Sequence, residues 1–362
     1  MRTVDRYLLR ELALPFAAGV FGFLLIFVGA LLFTLLDLVV KSGTPFLLLA
    51  KLVALKVPYL MVHVLPYATL FAICLAVNRM ARESEITAMR VAGVSLRRLM
   101  APLALAALCV SLLSLFLSEK VSPATNHEAM RIYRLALLGP ARPDLKQDVF
   151  FSAQGYTFYV RQVEKGSDGR FLLTDVMMYE GPAHGERFPV LTTARRATAE
   201  ANATTWVLTE GVQIRLDASG FSSQEWAFKR MTLDLEKGIE QYWADQKMPD
   251  EMSSAELRKQ IDLFGKGGID VASLKVDYLS KLAFPFACLV LTLLSMPLTV
   301  HFSRGGPSMG FLVVVGLFFL YYNAYFLTKM LGSAGILPPL LAAWGPNVVF
   351  GALGLALLRR EE

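Results

Sequence analysis

Residues 79–100, RMARESEITAMRVAGVSLRRLM, form a basic segment between two long apolar runs. The flanking runs, 57–77 and 101–117, contain no Asp, Glu, Lys or Arg. The segment itself carries five arginines and two glutamates, which are Arg79, Arg82, Arg90, Arg97, Arg98, Glu83 and Glu85. A short arginine-rich loop between two membrane spans is retained on the cytoplasmic side. The sequence therefore predicts a membrane protein whose chain turns here in the cytoplasm.

The same segment also contains signals for a short helix near residues 82–98. Ser84 can cap a helix start, and Gly93 can end the helix in a left-handed turn. Between them, Ile86, Met89 and Val91 provide an apolar stripe. A short helix on the cytoplasmic face, with carboxylates at its front, is suited to seat in another protein. The alternative is a solvated loop whose arginines only determine topology.

Composition is typical of several membrane spans joined to one polar domain. The chain has 362 residues, of which 55% are hydrophobic and 18% are charged. Its mean hydropathy of +0.48 is too high for a soluble protein of this size. The net charge of +6 does not indicate nucleic-acid binding, because the arginines cluster beside apolar runs rather than on one polar face.

Hydropathy predicts six spans, three on each side of the polar domain, and thus three regions. Residues 1–118 hold the first three spans, 119–272 the polar domain and 273–362 the last three spans. Within 119–272, period-two alternation predicts strands at 156–163, 172–179, 206–216 and 226–235. Short strands without intervening helices favour an antiparallel β-sandwich or jelly roll. Ser253 and Glu256 form a capping box that opens a short helix.

Basic residues in the short segments predict the orientation. Eleven lie on one side of the spans, at Arg2, Arg6, Arg10, Arg79, Arg82, Arg90, Arg97, Arg98, Arg304, Arg359 and Arg360. Four lie on the other side, at Lys41, Lys51, Lys56 and Lys329. The asymmetry predicts cytoplasmic termini and an extracytoplasmic β domain.

The sequence contains no recognised catalytic motif. The four histidines lack metal-ligand spacing, and there is neither a nucleotide-binding P-loop nor a nucleophile motif. We therefore expect no catalytic residue, metal or cofactor in this chain. Lys281, near the outer end of the fourth span, is the closest candidate for an intramembrane charge, and snorkelling to the interface is its alternative role.

Several cations are placed on the outer side, against the general charge trend. Lys41, Arg131 and Arg134, with Lys51 and Lys56, are positioned to ring the outer mouth of a cavity. Such a ring suits a lipid whose headgroup carries phosphates, because each cation gains a charge-assisted hydrogen bond. The alternative for each residue is snorkelling and surface solvation.

Several segments of the sequence resemble those of a known family. Residues 6–11, RYLLRE, resemble the amino-terminal R-Y-L-x-R-E of the LptF/LptG permeases of lipopolysaccharide export. Residues 83–95, ESEITAMRVAGVS, resemble the family's E-S-E-(I/L)-T-x-x-x-A-x-G-x-S segment, in a form closer to LptF. Residues 121–123, Pro285 and residues 296–298 followed by Arg304 also fall where the family has them. The resemblance extends over essentially the whole chain.

The resemblance implies a mechanism and a set of partners. Two such subunits would pair on a cytoplasmic ATPase dimer, LptB, and enclose a lipid-binding cavity. The segment at 79–100 would supply the coupling helix, with Glu83, Glu85, Arg90 and Gly93 in the coupling site and Glu85 facing an arginine of the ATPase. The first and fifth spans would form a lateral gate that includes Leu31 and Phe318, and the β domain would pair by strand addition with an LptC or LptA bridge.

Two alternatives to a permease subunit that passes lipid remain open. One is a mechanotransmission subunit that never conducts lipid, and the other is a scaffold that only docks partners. Mechanotransmission subunits usually have fewer spans, and a scaffold needs no coupling helix. The resemblance implies several cations near the outer end of the first span, whereas here Lys41 stands alone until Lys51.

Overall fold

The computed structural model divides into two compact units, and one of them contains all the described strands. It describes residues 3–42, 45–137, 146–153, 156–165, 170–180, 190–200, 205–216, 222–234, 245, 247–266, 270–302 and 307–360. One unit comprises Met1–Leu36, Leu49–Ala129 and Lys247–Glu362, and the other comprises Asp37–Leu48 and Met130–Gln246.

Ten α-helices occur in the described residues. They are α1 (Thr3–Ser42), α2 (Phe46–Arg82), α3 (Glu85–Val91), α4 (Leu96–Phe116), α5 (Ser122–Leu137), α6 (Ser254–Lys266), α7 (Ala272–Ala283), α8 (Ala287–Phe302), α9 (Pro307–Ser333) and α10 (Pro339–Arg360). A π-helical turn, Leu117–Val121, joins α4 to α5, and a 3-10 turn, Phe284–Phe286, joins α7 to α8. Another 3-10 turn, Pro249–Glu251, precedes α6. In these ranges six helical segments are long and apolar enough to cross a membrane, which confirms the predicted six spans.

The third span is longer than its hydropathy indicates. The apolar run ends near residue 117, but the helix continues through the π-helical turn to give one segment, Leu96–Ala136, of 41 residues. At 1.5 Å per residue this segment is about 60 Å long, roughly twice the hydrocarbon thickness of a bilayer. The helix predicted after Pro123 is therefore an extension of the third span.

Burial differs sharply among the spans. In the most apolar 18-residue stretch of each span, 78% of the residues of α2 and 67% of those of α7–α8 are buried, against 11% in α1 and 17% in α9. Large side chains such as Tyr67 and Tyr321 lie fully buried between the inner helices. The protein thus has a packed inner pair of spans and two peripheral helices, α1 and α9, with large exposed apolar faces.

Six strands form the β domain. They are β1 (Lys146–Ala153), β2 (Tyr156–Lys165), β3 (Arg170–Glu180), β4 (Val190–Glu200), β5 (Thr205–Leu216) and β6 (Ser222–Asp234). Each strand pairs antiparallel with its sequence neighbour, so the order is β1-β2-β3-β4-β5-β6. The predicted antiparallel domain is confirmed, but its described strands form a simple meander without the crossings of a jelly roll. Two strands, β1 and β4, were not resolved by the alternation pattern.

One row of residues crosses all the strands and interrupts their pairing. The row has one charged residue per strand: Asp148 on β1, Arg161 on β2, Asp175 on β3, Arg195 on β4, Glu210 on β5 and Lys229 on β6. In each of the five strand pairs, the residues on both sides of the row are paired in the sheet register, but the two residues of the row itself are not. The charges alternate in sign along the row. Asp175 and Glu210 have positive φ values of 51° and 55°, which non-glycine residues rarely adopt. We call this row the fold line.

The inward-facing side of the strands changes at the fold line. On β3 the buried residues are Phe171 and Leu173 before the line, then Val176 and Met178 after it. A strand of uniform pleat keeps every second residue on one face. The shift by one residue means that the strand bends at Asp175.

The bend folds the single sheet into two layers. Trp206 is in register, through β4 and β3, with Lys165 of β2, which lies seven residues from Phe158 on that strand. A flat sheet would separate Phe158 from Trp206 by about 27 Å, from about 3.3 Å per residue and about 4.8 Å per strand. Their ring centroids are 5.3 Å apart. The two layers of the predicted sandwich therefore belong to one sheet, which is folded across its own strands and encloses the core between its two halves.

The predicted capping box before α6 is confirmed. The hydroxyl of Ser253 accepts from the main-chain N–H of Glu256 at 3.3 Å, and the Glu256 carboxylate accepts from the N–H of Ser253 at 2.8 Å. Partial burial acts to raise the pKa of Glu256, but hydrogen bonds from Lys247 and Ser253 outweigh it and lower that pKa to about 2. This carboxylate is thus charged at neutral pH and supports the helix start.

Candidate functional site

The short helix predicted near residues 82–98 is present as α3, between α2 and α4, but it is only seven residues long, Glu85–Val91. Gly93 has a φ of 86°, and its N–H donates to the carbonyl of Arg90 at 2.9 Å. The N–H of Val94 also donates to the carbonyl of Met89 at 2.9 Å. These bonds form the left-handed helix end predicted at Gly93.

The start of α3 differs from the prediction. Ser84 occupies the cap position, but it has a φ of 60° and its side chain makes no cap hydrogen bond. A capping serine normally has an extended backbone that turns its hydroxyl toward the first free N–H groups. The left-handed conformation points the hydroxyl elsewhere, so Ser84 turns the chain from α2 into α3 rather than capping the new helix.

The apolar contacts of α3 come from only part of the predicted stripe. Ile86 is 3% exposed and packs with Leu8, Leu12 and other residues of α1, α2 and α4, and the half-buried Met89 joins them. Val91 is 84% exposed, so its assignment to the stripe was wrong. The reason is geometric: Val91 follows Ile86 by five residues, which is about 140° around the helix.

Polar contacts hold α3 and its flanks against the beginning of α1. The Tyr7 hydroxyl lies 2.8 and 3.0 Å from the two carboxylate oxygens of Glu85. Arg98 Nη2 lies 2.7 Å from Asp5 Oδ1, and Arg79 forms an ion pair with Glu11. We call these three contacts the clasp: Asp5–Arg98, Tyr7–Glu85 and Glu11–Arg79.

The sequence pointed to Glu85 but not to the α1 residues of the clasp, Asp5, Tyr7 and Glu11. A signal was present, because Tyr7 and Glu11 are four residues apart and therefore share one face of a helix. Of the other predicted coupling residues, Glu83 pairs with Arg79 at 3.2 Å, while Arg90 and Gly93 are exposed on the surface of α3. The structure thus gathers Glu83, Glu85, Arg90 and Gly93 around one short helix.

The three predicted headgroup cations differ in their surroundings. Arg131 Nε lies 3.0 Å from Asp245 Oδ1, and Arg134 is half-buried on the same helix, α5. Lys41 lies in α1, and its side chain is outside the described residues. Because Arg131 already faces a carboxylate, a lipid phosphate would have to compete with Asp245.

The two predicted gate residues lie on the two most exposed spans. Phe318 of α9 stacks with Phe23 of α1 at a centroid distance of 6.1 Å and contacts Tyr67 of α2 at 4.5 Å. Leu31 of α1 is half-buried, two helical turns beyond Phe23. An aromatic contact therefore links α1 to α9 about two helical turns before Leu31.

A polar cavity was not anticipated by the sequence. It has a volume of about 160 Å³ and is lined by residues of α2, the π-helical turn, the 249–251 turn, α7 and α9. Two acids and two lysines are among its lining residues, Asp250, Asp277, Lys281 and Lys329. Lys329 pairs with Asp277 at 2.9 Å, and Lys281 donates to the main-chain carbonyl of Met252. Lys281 is therefore held by an internal acceptor.

Within the described residues, no group of three or more His, Cys, Asp or Glu side chains is arranged to hold a metal ion.

Comparison with known proteins points to one family. The family model described as lipopolysaccharide export system permease LptF/LptG matches residues 6–360. The lipopolysaccharide export system permease protein LptF of Escherichia coli K12 is 22% identical over 357 residues, covering 98% of this chain and 94% of that protein. LptF of Shigella flexneri gives the same identity and coverage.

Proposed function

Because the chain belongs to the LptF/LptG family of lipopolysaccharide export permeases, we propose that it extracts lipopolysaccharide, or a related lipid, from the inner membrane. It would pass that lipid to a periplasmic bridge for delivery to the outer membrane. The family consists of inner-membrane transporter subunits, so the chain is a permease subunit and not itself an enzyme. In the proposed orientation both termini are cytoplasmic and the β domain is periplasmic.

The coupling part of the proposal rests on how α3 is attached to the spans. Ile86 anchors the helix to the spans, while Thr87, Ala88, Arg90 and Val91 are exposed. The chain has no P-loop, so the energy for extraction must come from a separate ATPase dimer of the LptB kind. An exposed helix fixed to three spans is a suitable element for such a partner to push.

Charge reversal at Glu85 tests the coupling role. Glu85→Arg should lower co-purification of the ATPase by about tens-fold, because reversing one charge of a partly buried interface pair costs a few kcal/mol. Asp262→Arg is the matched control, since it makes the same charge change at an exposed position on α6. Normal ATPase stoichiometry and transport in Glu85→Arg would refute the coupling assignment.

Lipid selection is assigned to Lys41, Arg131 and Arg134. Burial of acyl chains contributes about 25 cal/mol per Å² whatever the headgroup, so selection for phosphate requires cations. Each single change to Ala should cost about 1–2 kcal/mol, and the triple change should cost much more.

Photo-crosslinkers at Leu31 and Phe318 test both the gate and the cations. They should capture lipid in the otherwise unchanged chain and less lipid in the triple mutant. The triple change of Arg195, Arg258 and Lys259 to Ala, which removes three exposed cations elsewhere, is the control for the change in net charge. Equal lipid capture and export in the triple mutant would place the headgroup site elsewhere, and no capture at either position would favour a subunit that transmits motion without conducting lipid.

Partner surfaces are proposed from exposure and strand order. The exposed apolar faces of α1 and α9 support pairing with a second LptF/LptG-type subunit. In the described sheet, β1 and β6 each have a single neighbour, so each leaves one edge for strand addition by an LptC- or LptA-like bridge. Proline substitutions that block one edge at a time, followed by co-purification of the bridge, would identify the edge that is used.

A further inference from the structure

The amino-terminal turns of α1 are attached to the cytoplasmic helix by side chains, not only by packing. Tyr7 lies in the RYLLRE segment and Glu85 in the ESEIT segment, 78 residues later, and the Tyr7 hydroxyl is within 3.0 Å of both Glu85 carboxylate oxygens. A hydrogen bond to a charged group is stronger and more directional than one between neutral groups. On either side of this bond, Asp5–Arg98 and Glu11–Arg79 attach α1 to α4 and α2, the two helices that flank α3.

Farther along α1, one glycine brings its backbone against α2. A Cβ added at Gly19 would lie 3.0 Å from Phe71 Cδ1 and 3.2 Å from the Cα of Ala68. A Cβ added at Gly22 or Gly29 would meet nothing within 4 Å. The close approach of the two helices is therefore confined, among these three glycines, to Gly19.

Beyond this crossing, α1 contacts the gate side of the protein. Phe23, one turn after Gly19, stacks on Phe318 of α9 and packs edge-on against Phe71 of α2. Elsewhere α1 is largely exposed, with 11% of its most apolar window buried. The helix is thus held at its beginning by the clasp, and near its middle by Gly19 and Phe23.

We propose that α1 is a lever that carries movement of α3 to the gate, with Gly19 as its pivot and Tyr7 as the residue that positions Glu85 and transmits the pull. The proposal rests on the proposed coupling role of α3. Tyr7 and Leu31 each lie twelve residues from Gly19, or about 18 Å along the helix. A rigid helix turning at Gly19 therefore moves Leu31 by the same amount as Tyr7, in the opposite direction. Pro15 removes one main-chain hydrogen bond, yet α1 remains one helix from Thr3 to Ser42.

The test uses the complex of the full chain with its ATPase and second subunit, reconstituted in lipid. Spin labels are attached to cysteines introduced at Phe33 and Leu320, which are 77% and 61% exposed on α1 and α9, after the three native cysteines are replaced. The distance between the labels is measured without nucleotide and with ATP trapped by a hydrolysis-deficient ATPase. The variant is Tyr7→Phe, and the matched control is Tyr179→Phe, because the two tyrosines are 37% and 38% exposed.

We expect the ATP-dependent change in distance to fall by at least about half in Tyr7→Phe, and transport to fall at least about tenfold, as for loss of one hydrogen bond to a charged group. ATPase co-purification should stay within about twofold, a separation that a general folding defect would not produce. Tyr179→Phe should behave like the parent. Gly19→Leu should reduce the distance change more than Gly22→Leu, because only the former separates α1 from α2.

Three results would overturn the lever. They are an unchanged distance response in Tyr7→Phe, the absence of any ATP-dependent change in the parent complex, and loss of the ATPase itself from Tyr7→Phe. The last result would make Tyr7 part of the docking surface. Failure of the coupling role is recognised separately, by Glu85→Arg retaining the ATPase.

Discussion

Replacing Gly211 by alanine should loosen the folded β sheet. Gly211 follows Glu210 on the fold line, and an added Cβ would lie 2.2 Å from Phe228 Cζ and 2.4 Å from the carbonyl oxygen of Thr193. The phenylalanine ring can move, but the carbonyl belongs to β4, whose Ala194 pairs with Gly211. Reaching an ordinary contact requires a shift of about 1 Å between strands, and such overpacking costs about 1–3 kcal/mol. Alanine recovers about 0.4–1 kcal/mol by restricting the unfolded chain, which leaves a net loss of about 1–2 kcal/mol.

Amide hydrogen exchange of the detergent-solubilised chain measures this loss locally. At 1.4 kcal/mol per factor of ten, exchange in β4 to β6 should become about five- to thirtyfold faster. Gly22→Ala is the control, because nothing lies within 4 Å of its added Cβ. Adding Phe228→Leu should restore only part of the protection, since the carbonyl contact remains. Unchanged exchange in Gly211→Ala would refute the close packing at the fold line, and full rescue by Phe228→Leu would assign the cost to the ring alone.

Two further predictions concern orientation and the membrane core. A cysteine introduced at Arg195 should react with an impermeant thiol reagent outside intact spheroplasts, whereas one at the exposed Thr87 should not; the reverse order would overturn the export orientation. Tyr321→Phe should lower stability by about 1–2 kcal/mol, because the Tyr321 hydroxyl donates to Asn347 Oδ1 at 2.7 Å in a buried setting. Tyr322→Phe, 45% exposed, should change thermal melting in detergent much less, and equal shifts for the two variants would argue against this buried bond.

Much of the architecture is predictable because its signals are local. A span is recognised by the length and apolarity of one continuous segment, so all six were identified without knowledge of their packing. The capping box at Ser253 and the left-handed helix end at Gly93 depend on only a few neighbouring residues, and both were predicted correctly. Ser84 failed this test because its backbone conformation depends on how α2 turns into α3.

Strand β4 shows where local patterns stop being sufficient. Its buried residues are Val190, Thr192 and Ala194 before the fold line, but Ala197 after it. Alternation therefore changes phase inside the strand, and a search for uniform period two does not detect it. Only the tertiary structure explains the phase change, because it shows that the neighbouring strands bend at the same row of residues.

By itself, the sequence determined the number of spans, the insertion of one antiparallel β domain and the presence of a short helix after Arg79. These properties follow from hydrophobic length, period and turn chemistry over a few to about twenty residues. Only the tertiary structure decided that Tyr7 binds Glu85, that Gly19 contacts Ala68, and that one sheet folds into two layers around Phe158 and Trp206. Each of these contacts joins residues about fifty or more positions apart, and such pairs meet only when packing of the whole chain brings their elements together.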